Sequence, residues 1–136
     1  MFVAVLLAIV LVAAGCAPAV GPSGSSGPVG PLEPLVVGVE QHMTIEWQAE
    51  PRAQATVVWG YVTNRSPYTF DRLRLLVDAL GPDGAILGQR VVWAPGLLGG
   101  GGRTYFEAPM VPAPTYRVRV FSYDRVETDG GRRRLF

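Results

Sequence analysis

The chain has 136 residues, a net charge of +1 from 12 basic and 11 acidic side chains, and one cysteine. So balanced a charge sets up no field that would draw nucleic acid or an acidic substrate. A single thiol excludes an intramolecular disulfide, a CxxC redox pair and a cysteine-rich metal centre.

Residues 1–14, MFVAVLLAIVLVAA, form an uncharged apolar run that ends in small residues just before Gly15 and Cys16. This is the pattern of a secretory signal with its small-residue cleavage site. The run is too short to span a bilayer, which needs about 20 apolar residues, and Pro18, Gly21 and Pro22 interrupt it beyond Cys16. The tetrad Ala13-Ala14-Gly15-Cys16 resembles the lipobox of bacterial lipoproteins. That resemblance implies removal of residues 1–15 and lipidation of Cys16. Acyl chains such as palmitate contribute about 0.8 kcal/mol per buried methylene, so two or three of them hold a protein on a membrane without a transmembrane helix. Ala17 stands where Asp commonly marks inner-membrane retention, which implies an outer-membrane anchor facing the periplasm in a Gram-negative host.

Residues 16–34 follow as a Pro/Gly/Ser-rich tether with too few large apolar side chains to offset the entropy of ordering. A flexible coil of this length averages roughly 23 Å end to end and reaches about 55 Å when extended.

From residue 35 onward, β-branched and aromatic residues occur in short runs between turn signals, which predicts a single all-β sandwich or barrel over residues 35–127. Residues 35–39 and 43–48 read as a first strand or bent pair, with Met43, Ile45 and Trp47 on one face, and Glu50-Pro51-Arg52 ends it. Residues 55–63 are apolar on both faces, which predicts a central strand, with Gly60 marking a bulge or a close approach from the facing sheet. Asn64-Arg65-Ser66-Pro67 makes a turn. Residues 73–80 and 85–93 flank Gly81-Pro82-Asp83-Gly84, the strongest hairpin signal in the chain. A loose glycine-rich loop over residues 95–102 leads to a short strand, residues 103–108, with Tyr105 and Phe106 on opposite faces. Residues 109–114 form a rigid connector. The last strand, residues 116–123, points Tyr116, Val118 and Val120 inward and Arg117, Arg119, Phe121 and Tyr123 outward. Residues 128–136 read as a frayed tail.

Taken in order, Val58-x-Gly60-x-Val62-x-Asn64, the Leu73/Leu75/Val77 strand, the hairpin at Gly84, the glycine-rich loop, Phe106 and Tyr116-x-Val118-x-Val120 resemble FxLYD-type domains of bacterial exported proteins. Asp78, in Leu75-Leu76-Val77-Asp78-Ala79-Leu80, matches the Asp of the name-giving motif. The resemblance implies an immunoglobulin-like antiparallel β-sandwich of about seven strands and an envelope interaction role, and it brings no catalytic residues.

No constellation marks an active site. His42 with Glu40 and Glu46 falls short of a metal centre, since a catalytic metal usually takes three protein ligands, often several of them His, and the chain has one His. No Gly-x-Ser-x-Gly elbow is present. The run Gly99-Gly100-Gly101-Gly102-Arg103 lacks the following helix a phosphate cradle requires. No metal, cofactor or nucleic-acid partner is therefore expected. Aromatic and Arg residues anchor protein interfaces, so Arg117, Arg119, Phe121 and Tyr123, joined by Trp59 and Tyr61, are the candidate interaction surface. The expected function is a non-enzymatic, membrane-anchored binding or scaffolding module with an envelope protein partner. The alternatives are a small envelope hydrolase or carbohydrate-binding accessory using His42, and a structural spacer.

Overall fold

The structure, a computed structural model, describes residues 30–129 and 132–134. Seven strands follow one another: β1 (Met43–Arg52), β2 (Ala55–Asn64), β3 (Thr69–Leu80), β4 (Ile86–Trp93), β5 (Arg103–Met110), β6 (Thr115–Asp129) and β7 (Arg132–Arg134). β1-β2-β5 form one antiparallel sheet and β4-β3-β6 the other, while the short β7 pairs only with the far end of β6. The two sheets pack face to face as a small β-sandwich. The leader and Cys16 lie outside the described residues.

The alternation of apolar residues sets which face meets the core. Val58 and Val62 on β2, Leu73, Leu75, Val77 and Ala79 on β3, and Phe106 and Ala108 on β5 are essentially without solvent exposure and join one cluster. Burying each Val, Leu or Phe side chain contributes about 1.5–3 kcal/mol. β2 is central, as its two apolar faces predict. At Gly60 the close approach comes from the neighbouring strand and not from the facing sheet. A Cβ there would stand 2.0 Å from the Glu46 carbonyl oxygen and 2.6 Å from the Trp47 Cα. The β1-β2 register runs through this point without a bulge.

Several expected boundaries move. Pro51 does not end β1, because β1 is an edge strand and its outward side needs no N–H donor. Residues 35–38 are not a strand, and a 3-10 turn, Val39–Gln41, precedes β1. Pro109 and Met110 extend β5, which is also an edge. β6 continues to Asp129 and is met by β7, so strand pairing extends into the expected tail.

The β3-β4 hairpin forms as predicted. Gly81 N–H donates to Ala85 O, the Asp83 carboxylate accepts from Ala85 N–H, and Gly84 takes the left-handed conformation, φ 80°. The glycine-rich loop is pinned, not loose. Phe70 and Leu98 exchange backbone hydrogen bonds of 3.0 and 2.8 Å, and Leu98 is buried. Asn64 ties this loop to the turn after β2. Its Nδ2 donates to Tyr68 O (2.6 Å) and Leu98 O (3.0 Å), and its Oδ1 accepts from Ser66 N–H (2.9 Å) and the Ser66 hydroxyl (2.8 Å). Between β5 and β6, the Tyr116 hydroxyl donates to Val111 O and accepts from Ala113 N–H, each at 2.8 Å.

The pairing of β3 with β6 slips twice. Leu75 faces Val120 but Arg74 faces Ser122, so Phe121 is an extra residue on β6. Between Arg74 and Asp71 the extra residue is on β3, near Arg72, whose φ is 49°. The chain before β1 is also fixed. Leu32 exchanges backbone hydrogen bonds with the Gln89 amide (2.7 and 3.0 Å), Glu33 pairs with Arg119 at 3.0 Å, and Leu35 N–H donates to Phe121 O at 2.8 Å. This strap crosses the outer face of β4-β3-β6, so Leu32 and Glu33, expected to be tether, are fastened to the sandwich.

Candidate functional site

The four residues expected to form an interaction surface on β6 do not share one. Arg117 and Arg119 turn onto Asp78, a carboxylate on the outer face of β3 with no solvent exposure. Arg117 Nε donates to its Oδ2 at 2.8 Å and an Arg119 terminal nitrogen at 2.9 Å, while Gln89 Nε2 donates to Oδ1 at 2.8 Å. A carboxylate so enclosed requires such partners, since an unpaired buried charge is costly. These arginines therefore complete an ion cluster over the buried Asp78, with Arg117 itself half exposed. Phe121 flanks the Arg74 guanidinium, which lies 5.5 Å from its ring centre and 5.4 Å from that of Trp93. Tyr123 faces the other way. The extra residue at Phe121 reverses the alternation, so Tyr123 packs edge-on against Phe70 at 4.8 Å and joins the core. Trp59 and Tyr61 belong to the opposite sheet and do not extend this group.

His42 closes the 3-10 turn through its N–H to Val39 O and sets its ring edge-on to Tyr68 at 5.9 Å. Glu46 pairs instead with Arg103. Among the described residues no group of three His, Cys, Asp or Glu side chains is placed to hold a metal ion. Asn64 and the glycine-rich loop serve the turn network described above.

The outer face of β1-β2-β5 gathers exposed aromatic and polar side chains. With Val58, Gly60 and Val62 directed inward, the intervening residues of β2 point outward, and the register aligns them with their neighbours. Gln48, Trp59 and Glu107 make one cross-strand row; Glu46, Tyr61 and Tyr105 make the next. Between these rows the Trp47–Gly60 pair contributes a backbone floor. The result is an open cleft of about 280 Å³ with Gln48 and Trp59 on one side and Glu46, Tyr61 and Arg103 on the other.

The rings are mutually arranged. Tyr61 meets Tyr105 edge-to-face at 5.5 Å, and Trp59 lies 6.3 Å from Tyr105 at a tilt of 40°. The Arg103 guanidinium sits 3.9 Å from the Tyr61 ring centre and 3.4 Å from a Glu46 carboxylate oxygen. The Tyr105 hydroxyl donates to Glu107 Oε2 at 2.8 Å. That hydrogen bond, with burial and the Glu107 charge acting the same way, raises the phenol above its ordinary pKa of 10.0. Sequence alternation puts Trp59 and Tyr61 on one face of β2 and separates Tyr105 from Phe106 on β5, but only the adjacency of β5 to β2 unites these rings with Gln48, Glu46 and Glu107.

A second crevice, of about 270 Å³, opens between the edges of β1 and β6. It is mainly apolar, with Val36 and Val39 on one wall and Val118 and Val120 on the other. Comparison of the chain with protein-family models, with curated proteins and with solved structures finds no match.

Proposed function

We propose that the chain is an envelope lipoprotein whose immunoglobulin-like domain is a non-catalytic binding module, anchored through lipid on Cys16. The observation that carries the binding role is the cleft on β1-β2-β5. It brings aromatic rings, a guanidinium, an amide and carboxylates to an exposed sheet face without enclosing a reactive group. The anchor rests on the apolar run ending in Ala13-Ala14-Gly15-Cys16. With Ala17 after the cysteine, an outer-membrane position facing the periplasm is the corresponding location in a Gram-negative host.

Two features support the immunoglobulin-like reading. Taking β1 to β7 as strands A, B, C, C′, E, F and G places B between A and E, and C beside F, as in that architecture. The Tyr116 hydroxyl, bonded back to Val111 and Ala113 at the start of β6, has the geometry of a tyrosine corner at an E–F connection.

Two measurements test this function together. The intact mass of membrane-extracted protein should match cleavage before Cys16 plus acyl chains, and Cys16→Ala should lose the added mass and the membrane association. Affinity capture of envelope material should then depend on Trp59. An unmodified full-length mass removes the anchor; capture indifferent to Trp59→Ala removes the cleft as the binding site.

A further inference from the structure

We propose that the cleft on the outer face of β1-β2-β5 binds an uncharged glycan chain, with a pyranose ring seated on Trp59 and its hydroxyls bonded by Gln48, Glu46 and Arg103. This inference rests on the binding-module reading and names its ligand class. A sugar ring offers a C–H face and a rim of hydroxyl groups that both donate and accept. It therefore fits a site where aromatic faces alternate with planar polar groups.

The cleft has that alternation. Gln48 stands directly across from Trp59, and Glu46 directly across from Tyr61, with only backbone between the two rows. Gln48 supplies both donor and acceptor, Glu46 acceptors, and Arg103 a fork of donors. The Arg103–Glu46 contact at 3.4 Å and the stacking of Arg103 on Tyr61 at 3.9 Å orient the donor fork and its neighbouring acceptor before a ligand arrives. Such preorganisation reduces the entropic cost of binding.

Charge selects a neutral ligand. On this face Arg103 lies beside Glu46, Arg52 lies 3.8 Å from Glu50, Arg65 reaches the Thr44 hydroxyl, and Glu107 balances it as a third acid. No surplus of cations is present to draw a phosphate or uronate. A dry protein interface is also disfavoured. Protein hot spots are fully desolvated pockets ringed by near-neutral contacts, whereas each ring here has an ionic or amide neighbour and stays partly exposed.

The test is calorimetric titration of the full-length protein in detergent micelles with cellohexaose, chitohexaose and, as the anionic comparator, polygalacturonate. Saturable binding of at least one neutral hexasaccharide is expected. Trp59→Ala should weaken it by about tenfold or more, the loss of a principal ring contact, and Gln48→Ala by roughly threefold. Gln48 is exposed on an edge strand, so its variant keeps the test valid even where Trp59→Ala unfolds the domain. No heat with either neutral sugar, binding unchanged in both variants, or binding of polygalacturonate alone overturns the glycan assignment. Trp59-dependent capture of an envelope protein, or Trp59-dependent self-association in sedimentation, would also overturn it, yet leave a binding module in place. Absence of any Trp59-dependent ligand removes both readings.

Discussion

Replacement of Asn64 by Ala should be among the most damaging single changes outside the apolar core. The side chain is fully buried and makes four hydrogen bonds that join the turn after β2 to the loop before β5. Truncation leaves the Tyr68 and Leu98 carbonyls and the Ser66 N–H without this partner. Each buried polar group left unsatisfied costs about 1–3 kcal/mol. The Ser66 hydroxyl is free to rotate, the Tyr68 carbonyl lies near the surface and the Leu98 carbonyl keeps the Phe70 N–H, so the buried Ser66 N–H carries most of the penalty and the net loss is about 2–4 kcal/mol. That is a large share of the roughly 5–15 kcal/mol by which domains are stable, and it lowers Tm by at least about 8 °C.

Urea unfolding followed by tryptophan fluorescence measures this directly. Asn64→Asp sharpens it, because the isostere keeps both acceptor bonds from Ser66 and turns an oxygen toward the two carbonyls. Ionisation is then disfavoured in the folded state, and the folded pKa rises above the unfolded carboxylate value of about 3.9. The deficit of Asn64→Asp should therefore grow as pH rises above about 4 and shrink on acidification. A loss under about 1 kcal/mol for Asn64→Ala at unchanged m-value, or a pH-independent deficit for Asn64→Asp, would refute the assigned network.

Three further outcomes are expected. Gly60→Ala places a methyl against backbone of β1 that no rotamer relieves, so it should destabilise by about 1–3 kcal/mol or more and raise hydrogen exchange along β1 before the rest of the sheet. Asp78→Ala, which removes the shared acceptor of Arg117, Arg119 and Gln89, should cost more than Arg117→Ala, because Arg117 is half exposed and its loss leaves Asp78 its other two partners; equal losses in chemical denaturation would count against the cluster. The raised pKa of Tyr105 stabilises the fold at pH values below 10.0, and the contribution disappears as pH climbs through the folded value. Alkaline spectrophotometric titration should show one tyrosine ionising earlier in Glu107→Gln than in the parent.

Local chemistry was readable in the sequence where a structure depends on adjacent residues. Gly81-Pro82-Asp83-Gly84 marks its turn because each residue suits its own position, and Asn64 marks the end of β2 for the same reason. The inward set of β3 follows from simple alternation. Features decided by strand neighbours were hidden. Pro51 looks like a terminator until β1 is known to be an edge. Tyr123 looks outward until pairing with β3 inserts Phe121 as an extra residue. Arg117 and Arg119 look available until Asp78, some forty residues earlier, is brought beneath them. The cleft belongs to the same class, since β5 reaches β2 only after the chain has built most of the other sheet. Its individual rings were visible; their assembly with Gln48 and Glu107 was not.

The strap that fastens Leu32 to Gln89 and Leu35 to Phe121 gives the molecule a back and a front. The chain arrives on the broad side of β4-β3-β6, while the cleft opens on the broad side of β1-β2-β5. The described chain thus enters on the strapped side, opposite the aromatic side. Tension along the chain falls first on the Leu32–Gln89 pair, then on Glu33–Arg119, then on the Leu35–Phe121 bond. These fastenings lie in series and release one after another, so a pull at the N-terminus is absorbed by peeling the strap before any load reaches β1 and the floor of the cleft.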